Sequence, residues 1–392
     1  MTKRSGSAPA AARAGSTRAG RPAIHAVILA GGAGERFWPA SRRERPKPFM
    51  RVVGGKTLLE ATLERARRFA TADRIWIVCG NEHAATMRGE SGLARDHVLV
   101  EPSRRNTAMA VAWAAVRIAA EDPEAVMAVL SADHHIPDSR AFARAIERCA
   151  RAADRASVLL TLGVRPTRPD TGYGYIQLGA AIGAKHPGLH RVKRFVEKPD
   201  LARARRYLAL GDHLWNAGVF VWSAATFLEE VEAHAPELHR ALSPLRARPR
   251  GRNRSAVDAA YAAAPSLPVD VAILEKSGRV WTIPVDFAWS DVGTWASLAE
   301  ELGVGSSAGG RRPSGSARPD ADGNCIVDGD VMLLDSRANL VWGRSRVVAL
   351  LGVEDLAVID TDDVILITKL DRSPDVRKFV AALKAKGRDD LT

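Results

Sequence analysis

Long apolar runs are missing from this 392-residue sequence, and none reaches the roughly 20 residues that a bilayer-spanning helix needs. The opening residues also lack the apolar core of a secretory signal. Cysteine is scarce. Cys79, Cys149 and Cys325 are far apart and form no C-x-x-C pair, which argues against a disulfide framework or a zinc site and suits a reducing cytoplasm. Acidic residues are absent from residues 1–22, which are rich in Ala, Gly, Ser and Arg. That stretch reads as a disordered basic tail, and a transit peptide has a similar composition. Zinc-finger spacings and aromatic RNA-binding motifs are absent too. The net charge of +12 (57 Lys+Arg against 45 Asp+Glu) therefore reads mainly as a solvated, arginine-rich surface suited to anionic substrates, with no nucleic-acid partner expected. At 46% hydrophobic content the chain is long enough for one large domain and one small one, each with a core.

What the sequence does hold is an apolar run, residues 25–30, that ends in Gly31-Gly32-Ala33-Gly34-Glu35-Arg36-Phe37-Trp38-Pro39 and is followed by Arg45-Pro46-Lys47-Pro48-Phe49. The run, closing at Ala30, reads as a buried strand. Glycines let backbone N–H groups approach an anion closely, and Arg36 and Lys47 add cationic donors for phosphate oxygens. A Walker A loop would end in Gly-Lys-Ser/Thr, and the dinucleotide fingerprint would place a third glycine at Phe37. Neither fits. A bare strand-to-loop turn would explain the glycines alone. Arg36, Pro39, Pro46 and Lys47 together favour a polyphosphate site.

Apolar strands (residues 24–30, 74–79 and 125–130) alternate with helical spacing (57–69 and 107–120). This predicts a doubly wound, mostly parallel, Rossmann-like α/β sheet, with ligands beyond the carboxyl ends of its strands. Residues 303–323 turn to Gly, Ser, Arg, Pro and Asp and read as a flexible linker. Short apolar segments follow at 325–327, 331–334, 340–341, 347–351, 356–359 and 364–368, with a closing helix at 373–386. They predict a small C-terminal β-rich domain over 324–392, after a catalytic domain over 23–302. No long internal repeat stands out.

Ser131-Ala132-Asp133-His134-His135 follows a buried strand, so Asp133 either projects into the ligand crevice or caps the next helix. Adjacent histidines cannot share one face of a helix or strand, which argues against zinc. Trp289-Ser290-Asp291-Val292-Gly293-Thr294-Trp295 offers a second carboxylate or a simple turn residue. In Glu101-Pro102-Ser103-Arg104-Arg105-Asn106-Thr107-Ala108, Asn106 or Thr107 suits a helix N-cap. Thr171-Gly172-Tyr173-Gly174-Tyr175-Ile176, Phe195-Val196-Glu197-Lys198-Pro199 and Trp215-Asn216-Ala217-Gly218-Val219-Phe220 each read as a strand or a loop entering one.

Taken in order, these segments resemble the sugar-1-phosphate nucleotidylyltransferases, and Phe37-Trp38-Pro39 resembles the mannose-1-phosphate guanylyltransferase branch, which usually carries Gln where Pro48 stands. The resemblance runs from about residue 24 to about 300, and the segment after 324 is similar to that branch's short C-terminal unit. It implies a cytoplasmic enzyme that transfers GMP from GTP to mannose 1-phosphate. It places Ala30, Gly31, Gly32, Gly34, Arg36, Lys47, Asn106 and Thr107 on the nucleotide, with Arg36 and Lys47 as the catalytic cations. It places Gly172, Glu197, Lys198 and Asn216 on the sugar phosphate, and Asp133 and Asp291 on Mg²⁺. No membrane partner is implied, and a homodimer is compatible. The same chemistry on another nucleotide–sugar pair, a non-catalytic nucleotide-sugar sensor, and a nucleic-acid binder using the tail are the competing readings.

Overall fold

The computed structural model describes residues 22–32, 34–53, 55–247, 254–305, 318–344 and 346–392. The expected basic tail, apart from Pro22, and residues 306–317 of the expected linker lie outside the described residues.

Eleven strands precede residue 303 in chain order: β1 (Ile24–Ala30), β2 (Arg51–Val53), β3 (Lys56–Thr57), β4 (Ile75–Gly80), β5 (Val98–Glu101), β6 (Val126–Ser131), β7 (Leu159–Val164), β8 (Tyr175–Ala181), β9 (His190–Val196), β10 (His213–Ser223) and β11 (Val280–Val285). All but the β2–β3 hairpin join one nine-stranded sheet in the order β5-β4-β1-β6-β10-β7-β11-β9-β8. The β5-β4-β1-β6 half is parallel, and so is the β7–β11 pair. β10 runs antiparallel to both β6 and β7, and β8–β9 is antiparallel at the far edge. Because β10 is reversed, its start lies at the carboxyl ends of the parallel strands. Asn216 accordingly pairs with Gly163, one residue before the end of β7.

Side-chain alternation along the strands divides the core into two layers. Ala26, Ile28, Ile75, Ile77, Ala128 and Leu130 face one layer together with the Ser139–Ala156 helix. Val27, Trp76, Val78, Met127 and Val129 face the other, packed on the Ala-rich Asn106–Ala119 helix and the Ala224–His234 helix. Helices thus cover both faces, which is why the strands read as continuous apolar runs. The Leu58–Ala66 helix starts at a capping box, in which Glu60 N–H donates to Thr57 Oγ1 at 3.0 Å and Thr57 N–H to Glu60 Oε2 at 2.6 Å. It stops three residues short of the predicted Phe69, which packs against the core from a turn. No described helix is long and apolar enough to cross a membrane.

After residue 324 come β12 (Cys325–Asp328), β13 (Val331–Leu334), β14 (Leu340–Trp342), β15 (Val348–Leu351), β16 (Leu356–Asp360) and β17 (Ile365–Lys369), then the Arg377–Ala385 helix. Strands β12, β14 and β16 stack in parallel, Cys325 beside Leu340 beside Ala357, and β13 stacks on β15. Successive strands in each stack therefore belong to successive coils, a repeat that the sequence reading did not find. A buried asparagine ladder pins the coils. Asn339 Nδ2 donates to Asn324 Oδ1 at 2.9 Å, and Leu356 N–H donates to Asn339 Oδ1 at 3.0 Å. The small unit packs against the glycine loop through a shared core of Phe37, Trp38 and Trp295 with Leu340, Ile359 and Val380. Trp38 Nε1–H donates to the Leu391 carbonyl at 2.6 Å.

Candidate active site

A cavity of about 600 Å³ opens beyond the carboxyl ends of β1, β5 and β6 and the start of β10. Ala30, Gly31, Gly32, Asn106, Thr107, Asp133, Gly172, Glu197, Asn216 and Asp291 all line it. Lys47, Gly34, Lys198 and Arg36 do not.

Gly34 shapes the loop from beneath. Its φ of +64° lies in the left-handed region, and a Cβ there would stand 2.5 Å from Ser41 Oγ and 2.9 Å from Lys47 Cβ. Only glycine fits. Phe37 anchors the following turn in the core. Arg36, on the same turn, is exposed and has no ion-pair partner among the described residues. Lys47 is buried behind the wall. Its Nζ donates to Asp133 Oδ2 at 2.8 Å and to the Asp291 carbonyl at 2.6 Å.

The two acidic segments are joined directly as well. His135 N–H donates to the Ser290 carbonyl at 2.9 Å, and Ser290 N–H to the His135 carbonyl at 3.1 Å. This two-residue antiparallel bridge sets Asp133 and Asp291 on one rim. The cap of the Ser139–Ala156 helix is Asp138, so Asp133 has no capping role. Burial acts to raise the Asp133 carboxyl, but the Lys47 ammonium, His134 and the hydrogen bonds from Lys47 and Ser131 outweigh it and hold the group well below the usual carboxylate range. Beside Asp291, buried Val292 takes a φ of +43°, a strained value for a β-branched residue. A Cβ on Gly293 would meet Asp291 Oδ2 at 2.8 Å. Tyr173, which the sequence reading did not single out, donates its hydroxyl to Asp291 Oδ1 at 3.0 Å. Burial first, then the Asp291 charge, raise its phenol, so it stays a donor.

Neither Asn106 nor Thr107 is the side-chain N-cap that the spacing suggested. Arg105 occupies the cap position without a capping bond. Thr107 Oγ1 instead accepts from Val269 N–H at 2.9 Å, which ties this helix to the 266–270 wall. Glu101, at the end of β5, is a wall residue that sequence reasoning passed over. Its Oε1 accepts from Tyr261 O–H at 3.1 Å. Burial above all, with the Glu82 charge, pushes its carboxyl up to about 7 against that hydrogen bond. The available signal was position, because Glu101 ends an apolar strand that is parallel to β1 and β6 and so finishes at the same carboxyl end of the sheet.

On the opposite wall Glu197 pairs with exposed Lys198. A Cβ on Gly174 would stand 2.6 Å from Glu197 Oε2, so Gly174, rather than Gly172, makes room for this carboxylate. Asp270 lines the same wall, and Asn216 Nδ2 donates to its Oδ1 at 2.9 Å. Burial first, then the Glu197 charge, push the Asp270 carboxyl up to about 6. It too was missed, although it is the lone acid in the apolar stretch Val269-Asp270-Val271-Ala272-Ile273-Leu274. Among the described residues no cluster of three or more His, Cys, Asp or Glu could hold a metal ion by itself. Two carboxylates on one rim fit a cation that takes its other ligands from water and phosphate, as Mg²⁺ does.

Residues 25–303 match the nucleotidyl transferase family, and residues 329–383 match the MannoseP isomerase/GMP-like beta-helix domain. The chain belongs to the nucleotidyl transferase family. It is 37% identical to the alginate biosynthesis protein AlgA of Pseudomonas aeruginosa over 370 residues, 93% of this chain and 73% of that protein. It is 35% identical to the mannose-1-phosphate guanylyltransferase of Escherichia coli K12 over 375 residues, 94% of this chain and 75% of that protein. The crystal structure of a mannose-1-phosphate geranyltransferase from Thermus thermophilus superimposes with a TM-score of 0.80 at 36% identity, covering 92% of this chain and 99% of that one.

Proposed function

We propose that this chain transfers GMP from GTP to α-D-mannose 1-phosphate, giving GDP-mannose and pyrophosphate, and so supplies GDP-mannose for polysaccharide synthesis. The observation that carries the reading is that Asp133 and Asp291 line one rim of the cavity while buried Lys47 ties the two together from behind it. The name of the similar protein from Escherichia supplies the sugar and the nucleotide, and that of the protein from Pseudomonas supplies the polysaccharide.

The attacking group is an oxygen of the sugar's own phosphate, which is anionic near neutral pH. It displaces pyrophosphate from the α-phosphorus of GTP in line, with no serine, cysteine or histidine nucleophile and no strong base. Catalysis is then positioning and charge neutralisation. Backbone N–H groups around Ala30, Gly31, Gly32 and Gly34 hold the triphosphate. Lys47 carries charge to it from behind the wall and Arg36 from the solvent side. Asp133 and Asp291 would hold a divalent cation, Mg²⁺, which supplies neutralisation of the triphosphate charge when bound. Asn106 and Thr107 lie along the base. Glu101 accepts from guanine N1–H and the N2 amino group, a donor pair that the other bases do not present together on one edge. Gly172, Glu197 and Asn216 face the sugar, and Lys198 its phosphate.

The test is pyrophosphate release with Mg²⁺ across four nucleoside triphosphates, each crossed with mannose 1-phosphate and glucose 1-phosphate. Turnover confined to GTP with mannose 1-phosphate is expected. Turnover on another pair would move the specificity, and silence throughout would overturn the reading.

A further inference from the structure

Asn216 has little left to offer a ligand. Its Oδ1 accepts from Thr161 Oγ1 at 3.1 Å and from Gly218 N–H at 3.2 Å. A backbone N–H can only donate, so Oδ1 must face Gly218 and Nδ2 must face the other way. There it donates to Asp270 Oδ1 at 2.9 Å. One N–H remains for the cavity. The amide is therefore an oriented part of the wall, and Asp270 is the group that orients it.

Asp270 also borders the cavity itself, beside Glu197 and Asn216. Its neighbours Ala272, Ile273 and Leu274 are buried apolar anchors, which fix where the carboxyl stands. The Glu197 charge reaches it strongly enough to make its ionisation harder. Two carboxyls and one amide on this side give a wall rich in acceptors and poor in donors. Such a wall matches a polyol, whose hydroxyls bring the missing donors.

We propose that Asp270 is a sugar-positioning residue, holding the Asn216 amide with one oxygen and accepting a hydroxyl of the hexose with its carboxyl, so that it helps to select among hexose 1-phosphates. This rests on the nucleotidylyltransfer reading above. A ribose hydroxyl of the nucleotide has the same chemistry, and the hexose is favoured because Asp270 is bonded to Asn216 and faces Glu197.

The experiment is steady-state kinetics of the full chain, comparing wild type with Asp270→Asn and Asp270→Ala on mannose 1-phosphate and glucose 1-phosphate. Asp270→Asn keeps an acceptor for Asn216 and nearly the same volume, so it preserves the fold if the alanine variant does not. The expected result for Asp270→Asn is a rise of about 10- to 100-fold in KM for mannose 1-phosphate, the value of one charged hydrogen bond. Its kcat and its KM for GTP should stay within about twofold of wild type. The kcat/KM preference between the two sugars should shrink in parallel, a change that a purely structural role would not produce. Unchanged sugar KM values and preference would overturn the proposal, and so would a loss confined to the KM for GTP, which would assign Asp270 to the ribose. Wild type inactive on GTP with either sugar would instead overturn the reaction.

Discussion

Lys47 and Asp133 form an ion pair at 2.8 Å, with the lysine side chain 8% exposed and the aspartate 27%. A buried charge is tolerated only when it is paired, so each group stabilises the other's charged form. The same ammonium reaches the Asp291 carbonyl. The charge-carrying rim is therefore assembled by the protein alone.

Asp133→Asn should lower kcat by about 100-fold or more, the cost of removing one preorganised charged group. The fold should survive, because asparagine keeps the volume and Lys47 still has the Asp291 carbonyl as acceptor. Turnover together with the far-UV circular dichroism spectrum checks this. A near-normal kcat would remove Asp133 from the cation site.

If Glu101 reads the base as proposed, KM for GTP should depend on pH. Its carboxyl is pushed up to about 7, so the acceptor form gains population as pH rises through that value. KM for GTP should fall between pH 6 and pH 8, and the trend should vanish in Glu101→Gln. That variant presents an amide N–H where guanine offers donors, and its KM for GTP should rise about 10-fold or more. A flat KM profile for the wild type would disconnect Glu101 from the base.

Asp270 makes stability depend on pH with a definite sign. Its native carboxyl is raised to about 6 from 3.8, so the folded chain holds this proton more tightly than the unfolded chain does. Stability from this group is greatest below about pH 4 and declines as pH rises toward 6. Asp270→Asn removes that loss. It should melt higher than wild type at pH 8, by at most about 3 kcal/mol of stability, with the gain shrinking toward pH 5. Calorimetry at the two pH values measures it, and a variant destabilised equally at both would contradict the raised carboxyl.

Gly34→Ala should be harmful twice over. The left-handed backbone and the 2.5 Å approach to Ser41 Oγ together cost about 1–3 kcal/mol, and the strain falls on the residue that carries the Lys47 position. Chemical denaturation should show the loss, with kcat reduced in the same preparation. A Gly31→Ala control should be milder in stability, because its Cβ would meet only Glu101 Oε2, at 3.6 Å.

Asn339→Ala should open the small unit. It strands Leu356 N–H, while Asn324 Oδ1 keeps only the residue-339 N–H, at a cost of about 1–3 kcal/mol. Faster limited proteolysis within residues 324–369 is the expected readout.

The strands of the large sheet were legible because a sheet covered on both faces writes itself as unbroken apolar runs, as in residues 24–30 and 125–130. The parallel half follows from the helical spacing between those runs. The reversal of β10 was not legible, because an apolar strand has no direction in its sequence. Nor was the C-terminal coil repeat. Cys325 stacks on Leu340 and Leu340 on Ala357 at unequal sequence intervals, and no fixed period exists to find. Ten of the expected site residues line the cavity because strand ends collect there by topology. Glu101, Tyr173 and Asp270 escaped because each needs a distant partner, Tyr261, Asp291 or Asn216, to show that it faces inward.

Trp38 and Leu391 are joined by one hydrogen bond across 353 positions of chain. The turn that follows the glycine loop therefore takes its backing from residues synthesised long after it. A growing chain can form β1 and its helices early, through local and mid-range contacts, but the loop stays without that support until residue 391 is made. Activity should then appear last in refolding, after the sheet has formed, because the contact that steadies the loop closes nearly the whole length of the polypeptide.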